Sequence, residues 1–542
     1  MHRDRPRRHR HRAQRRSSLL ARAAAVLASF GLVLAIGAHD PAYAAYGLIE
    51  GSGSTWSKVI VDQWIADVNA NGMQVTYNGG GSSQGRKDFA NYVTDFGISE
   101  IPYQGRDEQG NVDSAGGREF AYLPIVAGGT AFTYHLEQGG EMIRDIRLSG
   151  ETIAKIFTMQ ITSWADPAIK ADNNGRVFPD KPIYPVVRSD GSGTTAQFTT
   201  WLDKEHGALW RAYKPGGGLT SYYPNAGGNM IGAAGSDQVM NAIAASSGDG
   251  TIGYVEYSYP VNKGFPVVKV LNQAGYYVEP TQYNVAVALT RAQINNDPGS
   301  PNYLTQILDN VYTNDDPRAY PLSSYSYMLI PTGDDDRRMS TNKRQTLVDF
   351  MFYSLCEGQT QAGPYGYSPL PLNLVQAGFE QLGKLGAADP GVELQNRDAT
   401  RCNNPTFVAG DLSRNRLAEI APQPQACDKT GAGPCLGAGQ DLDGGGGGGG
   451  GGSTTTGGTT GGDVVAGVDP ETGLPVIDPE TGLPVSAGGG SLAVGGSVAS
   501  EIAARPLGGA VAYAALAAAE LLAIILAPGL LALRSKRRRV AR

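Results

Sequence analysis

Histidine and cysteine are scarce in this 542-residue chain, with six and four respectively. His2, His9, His11 and His39 sit near the N-terminus, so the body keeps only His135 and His206. That scarcity excludes a histidine-rich metal site or a zinc hydrolase centre. The cysteines, Cys356, Cys402, Cys427 and Cys435, form no CxxC metal motif, and none precedes Cys356. A lipid-modified cysteine at a mature N-terminus is thereby excluded. Basic charge is scarce except at the two ends. Residues 1–44 hold nine Arg against two Asp, and residues 534–542 hold six Lys or Arg and no acid, yet the whole chain carries −6. The middle is therefore strongly acidic, which argues against nucleic-acid binding, because that relies on basic groups neutralising phosphates. No Walker GxxxxGK[ST] pattern occurs. A dinucleotide fingerprint also fails, since Gly51-Ser52-Gly53 meets Trp56 where a third glycine is needed.

The two ends read as addresses. Arg residues crowd positions 3 to 16, an apolar run follows from Ala23 to Ala38, and Ala42-Tyr43-Ala44 offers a small-x-small cleavage site. This pattern predicts an export signal over residues 1–44, cleaved after Ala44. Leu507 to Leu533 is a run of 27 residues without Lys or Arg, and about 20 suffice to span a bilayer. The basic cluster after it, Arg534 to Arg542, belongs on the cytoplasmic side. The expectation is one C-terminal transmembrane helix with the body outside the cytoplasm. Glu520 lies within that span, where a carboxylate is costly unless protonated or facing a partner helix. No LPxTG sorting motif precedes it.

Glycine is abundant, 74 residues, and much of the excess is local: Gly444 to Gly452 are nine in a row. The octapeptide Asp469–Val476 recurs as Asp478–Val485. Such composition cannot bury a core, so residues 436–506 are predicted to be a flexible linker. Its 71 residues would span about 45–50 Å root-mean-square. An exported chain can oxidise its cysteines. Of the three pairings that four cysteines allow, Cys356–Cys402 with Cys427–Cys435 closes the shortest loops.

Residues 46–385 look globular. Trp56 to Ala70 carries a helical stripe (Ile60, Trp64, Val68), and Met73–Tyr77 alternates as a strand does. Ile183–Val187 and Ile252–Tyr257 also read as strands, and Thr195–Leu202 as a helix. Alternation of this kind predicts an α/β fold with a largely parallel sheet, whose ligands bind where strands give way to helices. Three such junctions are rich in glycine and hydroxyls: Gly51–Trp56, Gly79–Gly85 and Arg188–Thr195. Glycine lets backbone N–H groups approach a ligand, and a helix start leaves N–H donors free beside a partial positive charge. Anions suit such sites, and Arg188 adds a planar charged fork. A fourth segment, Thr94–Glu100, places carboxylates on either side of a short apolar stretch.

These segments, in this order, resemble the PstS-type phosphate-binding proteins of ATP-driven (ABC) phosphate importers. The resemblance covers about residues 46–385. It is most specific in Arg188–Thr195 (RSDGSGTT) and Gly250–Tyr259 (GTIGYVEYSY). It implies a two-lobed, type II periplasmic-binding-protein fold, each lobe a mixed sheet flanked by helices, with the ligand in the cleft between them. Lobe one would be residues 46–128 and 278–385, and lobe two 129–277, with crossings near Ile125–Tyr134 and Tyr277–Asn284. Phosphate would touch Thr55, Trp56 through its backbone N–H, and Ser82 from one lobe, and Arg188, Ser192, Gly193 and Thr194 from the other. Glu100 stands where the family has Asp, one methylene longer. Residues 386–435 exceed the family core and read as a stapled appendage. The implied partners are inorganic phosphate and the permease and ATPase of an importer. No cofactor and no nucleic acid are expected.

The carboxylate has a physical logic. Phosphate near neutral pH keeps a proton and sulfate does not, so a buried carboxylate accepts from the one and repels the other. Asp190 stands two residues after Arg188 and is placed to orient its guanidinium. An enzyme is disfavoured because His135 and His206 stand outside any catalytic motif and the hydroxyls have no evident base. Two alternatives share the same residues: a membrane-tethered sensor or interaction protein without transport, and a receptor for another tetrahedral oxyanion such as arsenate.

Overall fold

The computed structural model describes residues 46–435 except 109, 226, 395–398 and 434. The export signal, the linker, the apolar span and the basic tail lie outside the described residues. Among those described, no helix is long and apolar enough to cross a membrane.

The chain opens with strand β1 (Ile49–Gly53), helix α1 (Lys58–Asn69) and strand β2 (Val75–Asn78). Helix α1 buries Ile60, Val61, Trp64 and Val68, the stripe its periodicity predicts. Trp64 donates its indole N–H to the Gly358 carbonyl at 2.9 Å, so its polar tip is satisfied inside the core. Helix α2 (Ser82–Ala90) follows, then β3 (Phe96–Ser99). Helix α2 lies unusually close to the sheet: a Cβ on Gly85 would stand 2.4 Å from the Gly53 Cα. Only glycine permits that approach.

Strand β4 (Phe120–Tyr134) is fifteen residues long and almost wholly buried. Beyond it come β5 (Arg147–Leu148), β6 (Tyr184–Arg188), α3 (Gly193–Glu205), β7 (Ile231–Ala233), α4 (Gly235–Ala244) and β8 (Thr251–Glu256). Strands β9 (Lys269–Leu271) and β10 (Tyr277–Val278) join β5 in a small sheet. Helix α5 (Gln282–Leu289), strand β11 (Ser323–Pro331) and helices α6 (Thr341–Leu355) and α7 (Leu372–Ala388) return to the first half. A short helix α8 (Arg416–Ile420) lies in the last segment.

The main sheet has eight strands in the order β7-β6-β8-β4-β11-β3-β1-β2. The expectation of a largely parallel sheet is corrected. The outer strands pair in parallel (β1 with β2 and β3, β6 with β7 and β8), but β4 and β11 run antiparallel through the middle. The mixed sheet expected in each half is present, and β4 belongs to both. Its residues 120–129 pair with β11, and residues 130–134 pair with β8. Local patterning predicts strands but not partners, and a buried strand of this length carries no mark of where its partner changes. Gly51-Ser52-Gly53 is likewise part of β1 rather than a loop.

Both predicted disulfides form, Cys356–Cys402 and Cys427–Cys435. His135 and His206 are structural. The first hydrogen-bonds the Ile243 carbonyl and Glu137, and the second packs edge-on against Trp201.

Glu256, the last residue of β8, is fully buried at the strand changeover, opposite Thr130. The Ser258 N–H donates to its Oε2 at 2.6 Å, while Oε1 has no protein partner. Burial raises its carboxyl well above the ordinary glutamate range, against the opposing pull of the Ser258 hydrogen bonds. The native state thus holds a proton that the unfolded chain releases above its usual glutamate pKa, so stability falls as pH rises through that window. Glu256→Gln should flatten the fall, which is at most about 1.4 kcal/mol per pH unit. Melting curves from pH 5 to 9 check this.

Candidate functional site

The site is assembled from strand ends and helix starts on both halves of the sheet. Beyond β1, Ser54-Thr55-Trp56-Ser57 leads into α1. Gly81 leads into α2, whose first residue is Ser82. Glu100 follows β3, and Arg188 closes β6. Ser192 caps α3, its hydroxyl accepting from the Thr195 N–H at 3.1 Å. That cap leaves the Gly193 and Thr194 N–H groups outside the helical ladder, at the positive end of the helix dipole.

Every predicted contact residue is buried: Thr55, Trp56, Ser82, Glu100, Arg188, Ser192, Gly193 and Thr194. They form two adjoining clusters. In one, Glu100 accepts from the Ser82 hydroxyl on Oε2 at 2.6 Å and from the Ser326 hydroxyl on Oε1 at 2.9 Å. Gly193 presses against both Glu100 and Ser82; a Cβ there would meet Glu100 Oε2 at 2.1 Å and Ser82 Oγ at 2.6 Å. In the other, Thr55 Oγ1 lies 3.0 Å from Ser236 Oγ and accepts from the Ser236 N–H at 3.1 Å. Arg188 Nη1 donates to the same Ser236 hydroxyl at 3.4 Å.

Arg188 is held from behind. Its Nε donates to Asp190 Oδ1 at 2.7 Å and its Nη2 to Asp190 Oδ2, which leaves the Nη1 edge turned toward Ser236 and Thr55. Burial works to raise the Asp190 carboxyl, but the Arg188 hydrogen bonds and charge, with the Gly235 N–H, hold it below the ordinary aspartate range. A buried guanidinium needs such a partner. The Tyr254 hydroxyl accepts from the Arg188 backbone N–H at 3.2 Å and lies 2.8 Å from Thr195 Oγ1. Burial pushes that phenol up to about 12, so it stays neutral beside the site.

Hydrogen bonds also join the two halves of the sheet. Ser83 N–H donates to the Gly191 carbonyl at 3.0 Å, Gln197 Nε2 to the Glu100 carbonyl at 2.9 Å, and the Tyr259 hydroxyl to the Thr55 carbonyl at 2.5 Å. One detail differs from the sequence reading. The Trp56 N–H, expected to face the ligand, donates to Ser54 Oγ at 3.0 Å. Asp95, the other carboxylate of the fourth segment, is turned away and paired with Arg338 and Lys343, both at 2.9 Å.

Sequence reasoning missed Ser236 and Ser326. Ser236 had a signal, since Gly235-Ser236 opens a helix after a strand as the three recognised junctions do. Ser326 had none. It is one alternating serine in a buried strand, brought to Glu100 by the pairing of β11 with β3.

Gly193→Ala should fold with a near-native melting temperature yet push the start of α3 away from Glu100 and Ser82, since its methyl would overlap Glu100. Protease sensitivity of the 189–192 loop reads that displacement. Asp190→Asn should lower stability at neutral pH, and the difference from wild type should vanish in acid. The depressed pKa of Asp190 confers stability above the unfolded aspartate value, and that stability is lost as pH falls through the lower native value. Paired melts between pH 2.5 and 7 measure it.

Known proteins share sequence and fold with this chain. Residues 38–357 match the PBP superfamily domain, described by its family name PBP_like_2. The phosphate-binding protein PstS of Methanocaldococcus jannaschii is 30% identical over 345 residues, covering 61% of this chain and 85% of that protein. The phosphate-binding protein PstS of Xylella fastidiosa is 31% identical over 331 residues, covering 60% and 83%. PstS 2 of Mycobacterium tuberculosis is 30% identical over 327 residues, again covering 60% and 83%. In three dimensions, a high affinity periplasmic phosphate-binding protein (PfluDING), bound with phosphate, superposes with a TM-score of 0.50 at 20% identity. That match covers 64% of this chain and 99% of the other, and it supports the fold. The chain belongs to the PBP superfamily, in the family of PstS phosphate-binding proteins.

Proposed function

We propose that this chain captures inorganic phosphate outside the cytoplasm and delivers it to the permease and ATPase of an ABC importer. It is a binding protein, not an enzyme, as its PstS relatives are. The observation that carries the reading is the convergence of Arg188, Thr55, Ser82, Glu100 and the α3 N-terminus in one buried place spanning both halves of the sheet. Thr194 Oγ1, buried there without a protein partner, is available to a ligand oxygen.

The lobes would be residues 46–128 with 278–385, and 129–277, hinged where β4 changes partner. The ligand contacts would be Thr55, Trp56, Ser82, Glu100, Arg188, Ser192, Gly193 and Thr194. Trp56 would redirect its N–H from Ser54. A single C-terminal helix at Leu507–Leu533 would anchor the chain to the membrane, with residues 436–506 as its linker.

Selectivity follows from donor exchange at Glu100. Ser82 spends its one O–H on Glu100 in the described state. A phosphate that brings its own proton donates to Glu100 and frees Ser82 to donate in return. Sulfate brings no proton, so it meets either a bare carboxylate or a hydroxyl already committed. A site that leaves polar groups unpaired in this way discriminates by factors of about 10⁴–10⁵. The longer Glu100 side chain is accommodated by Gly193 on one side and Ser326 on the other.

Calorimetry tests the reading on protein stripped of carried-over ligand by unfolding and refolding. Phosphate should bind tightly and sulfate should give no heat. Arg188→Ala should weaken phosphate at least about 100-fold, the loss expected from two charge-assisted hydrogen bonds. Glu100→Gln should narrow the phosphate-to-sulfate ratio, because an amide N–H can serve sulfate. If wild type binds neither anion, transport is refuted and the tethered-sensor alternative gains.

A further inference from the structure

The last described segment crosses from one half of the molecule to the other, apart from the strands that already do so. At its start, Cys402 is bonded to Cys356 at the end of α6. Asn404 Nδ2 and Thr406 Oγ1 donate to the Leu370 carbonyl at 3.0 and 2.9 Å. Helix α8 packs on α5, and Arg318 Nη1 donates to the Ala418 and Ala421 carbonyls, both at 3.1 Å. All of these partners belong to the half that contains β1.

At its far end the segment docks on the other half. Asp428 accepts from Arg147 Nη2 at 3.1 Å and from Lys269 Nζ at 3.2 Å. The Arg147 side chain is 0% exposed and that of Asp428 8%. Arg147 Nη1 also donates to the Ala432 carbonyl at 3.0 Å, and the Thr430 N–H to the Gly275 carbonyl at 2.9 Å. The Cys427–Cys435 disulfide closes the small ring that carries Asp428.

Between the docks runs Ala421-Pro422-Gln423-Pro424-Gln425. Its ends have φ/ψ of −54/128° and −64/148°, the extended polyproline geometry. Two prolines in five residues make this a semi-rigid spacer of roughly 3.1 Å per residue. The crossing is therefore bonded covalently at one end, ion-paired in a buried pocket at the other, and stiff in between.

We propose that residues 402–428 are a strap that limits how far the phosphate cleft opens, and so sets the rate at which bound phosphate leaves. The proposal rests on the hinged-trap reading above. Opening the cleft turns the halves about β4 and the 279–281 connection. A stiff spacer docked on both halves must then bend, or one dock must part. Because the chain continues from this strap toward its C-terminus, a pull from that side reaches the half that carries Arg188.

The test uses the full chain with spin labels on cysteines introduced at Val93 and Val177, which are exposed and lie on opposite halves. Inter-label distances are measured by double electron–electron resonance without and with inorganic phosphate, and phosphate release by stopped flow. Two variants are compared with wild type. Asp428→Ala removes the ion-paired dock. A four-residue Gly-Ser insertion between Pro424 and Gln425 keeps both docks and both disulfides but adds slack. The expected result is a longer phosphate-free distance in both variants and release faster by roughly tenfold, within the range of coupling between distinct sites. If Asp428→Ala does not fold, the insertion alone decides. Should wild type show no phosphate-dependent change in distance, the hinged-trap reading falls and the strap with it. Should wild type close normally while the variants match it in distance and release, the strap alone is overturned.

Discussion

Strand β4 belongs to two sheets' worth of structure at once, and the rest of the molecule is arranged around that sharing. Its residues 120–129 pair with β11 around a bulge at Ile125, and its last five pair with β8. A strand in the middle of a sheet must satisfy its backbone N–H and C=O groups on both edges. Partners from distant parts of the sequence are therefore drawn to it, β8 from one side and β11 from the other. The changeover at Gly129 and Thr130 places the ends of β1 and β3 opposite the end of β6. These are the strand ends that carry Thr55, Glu100 and Arg188.

The charges around the site obey a second constraint. A buried guanidinium or carboxylate is costly unless it is paired or hydrogen-bonded. Arg188 is neutralised by Asp190 along one edge and presents the other. Glu100 receives a hydroxyl on each oxygen and keeps lone pairs for a further donor. Glu256 stands near Trp56 at the changeover, where burial raises its carboxyl well above the ordinary glutamate range. The acidic chain therefore shows an anion a local field of N–H and O–H dipoles, although its net charge is negative.

The molecule also departs from a bare two-lobed trap. The segment after α7 is pinned to one half by a disulfide and to the other by the Asp428 ion pair. The two docks differ in kind: a cysteine pair joined covalently and a buried charge pair with little exposure to salt. An added crossing of this kind changes the opening of the cleft without touching a single ligand contact.

Much of this was legible in the residues themselves. The helical stripe of α1, the strands at β2, β6 and β8 and the hydroxyl-rich junctions depend on neighbours in sequence, and local patterning reports them, while loop length alone picks out the disulfide pairing. The candidate set Thr55, Ser82, Arg188 and Ser192–Thr194 stands out in the sequence for the same reason, because each group sits in its own short motif. What the tertiary structure alone decided were relations between distant residues. Ser326 reaches Glu100 only because β11 pairs with β3, and Ser236 reaches Thr55 only because the two halves of the sheet meet there. Asp95 is drawn away from the site by Arg338 and Lys343, which lie over 240 residues later. The Trp56 N–H turns to Ser54. Local sequence sets which groups each junction offers. Which of them face one another depends on the pairing of β4 and the packing of two halves, and no window of neighbouring residues contains that information.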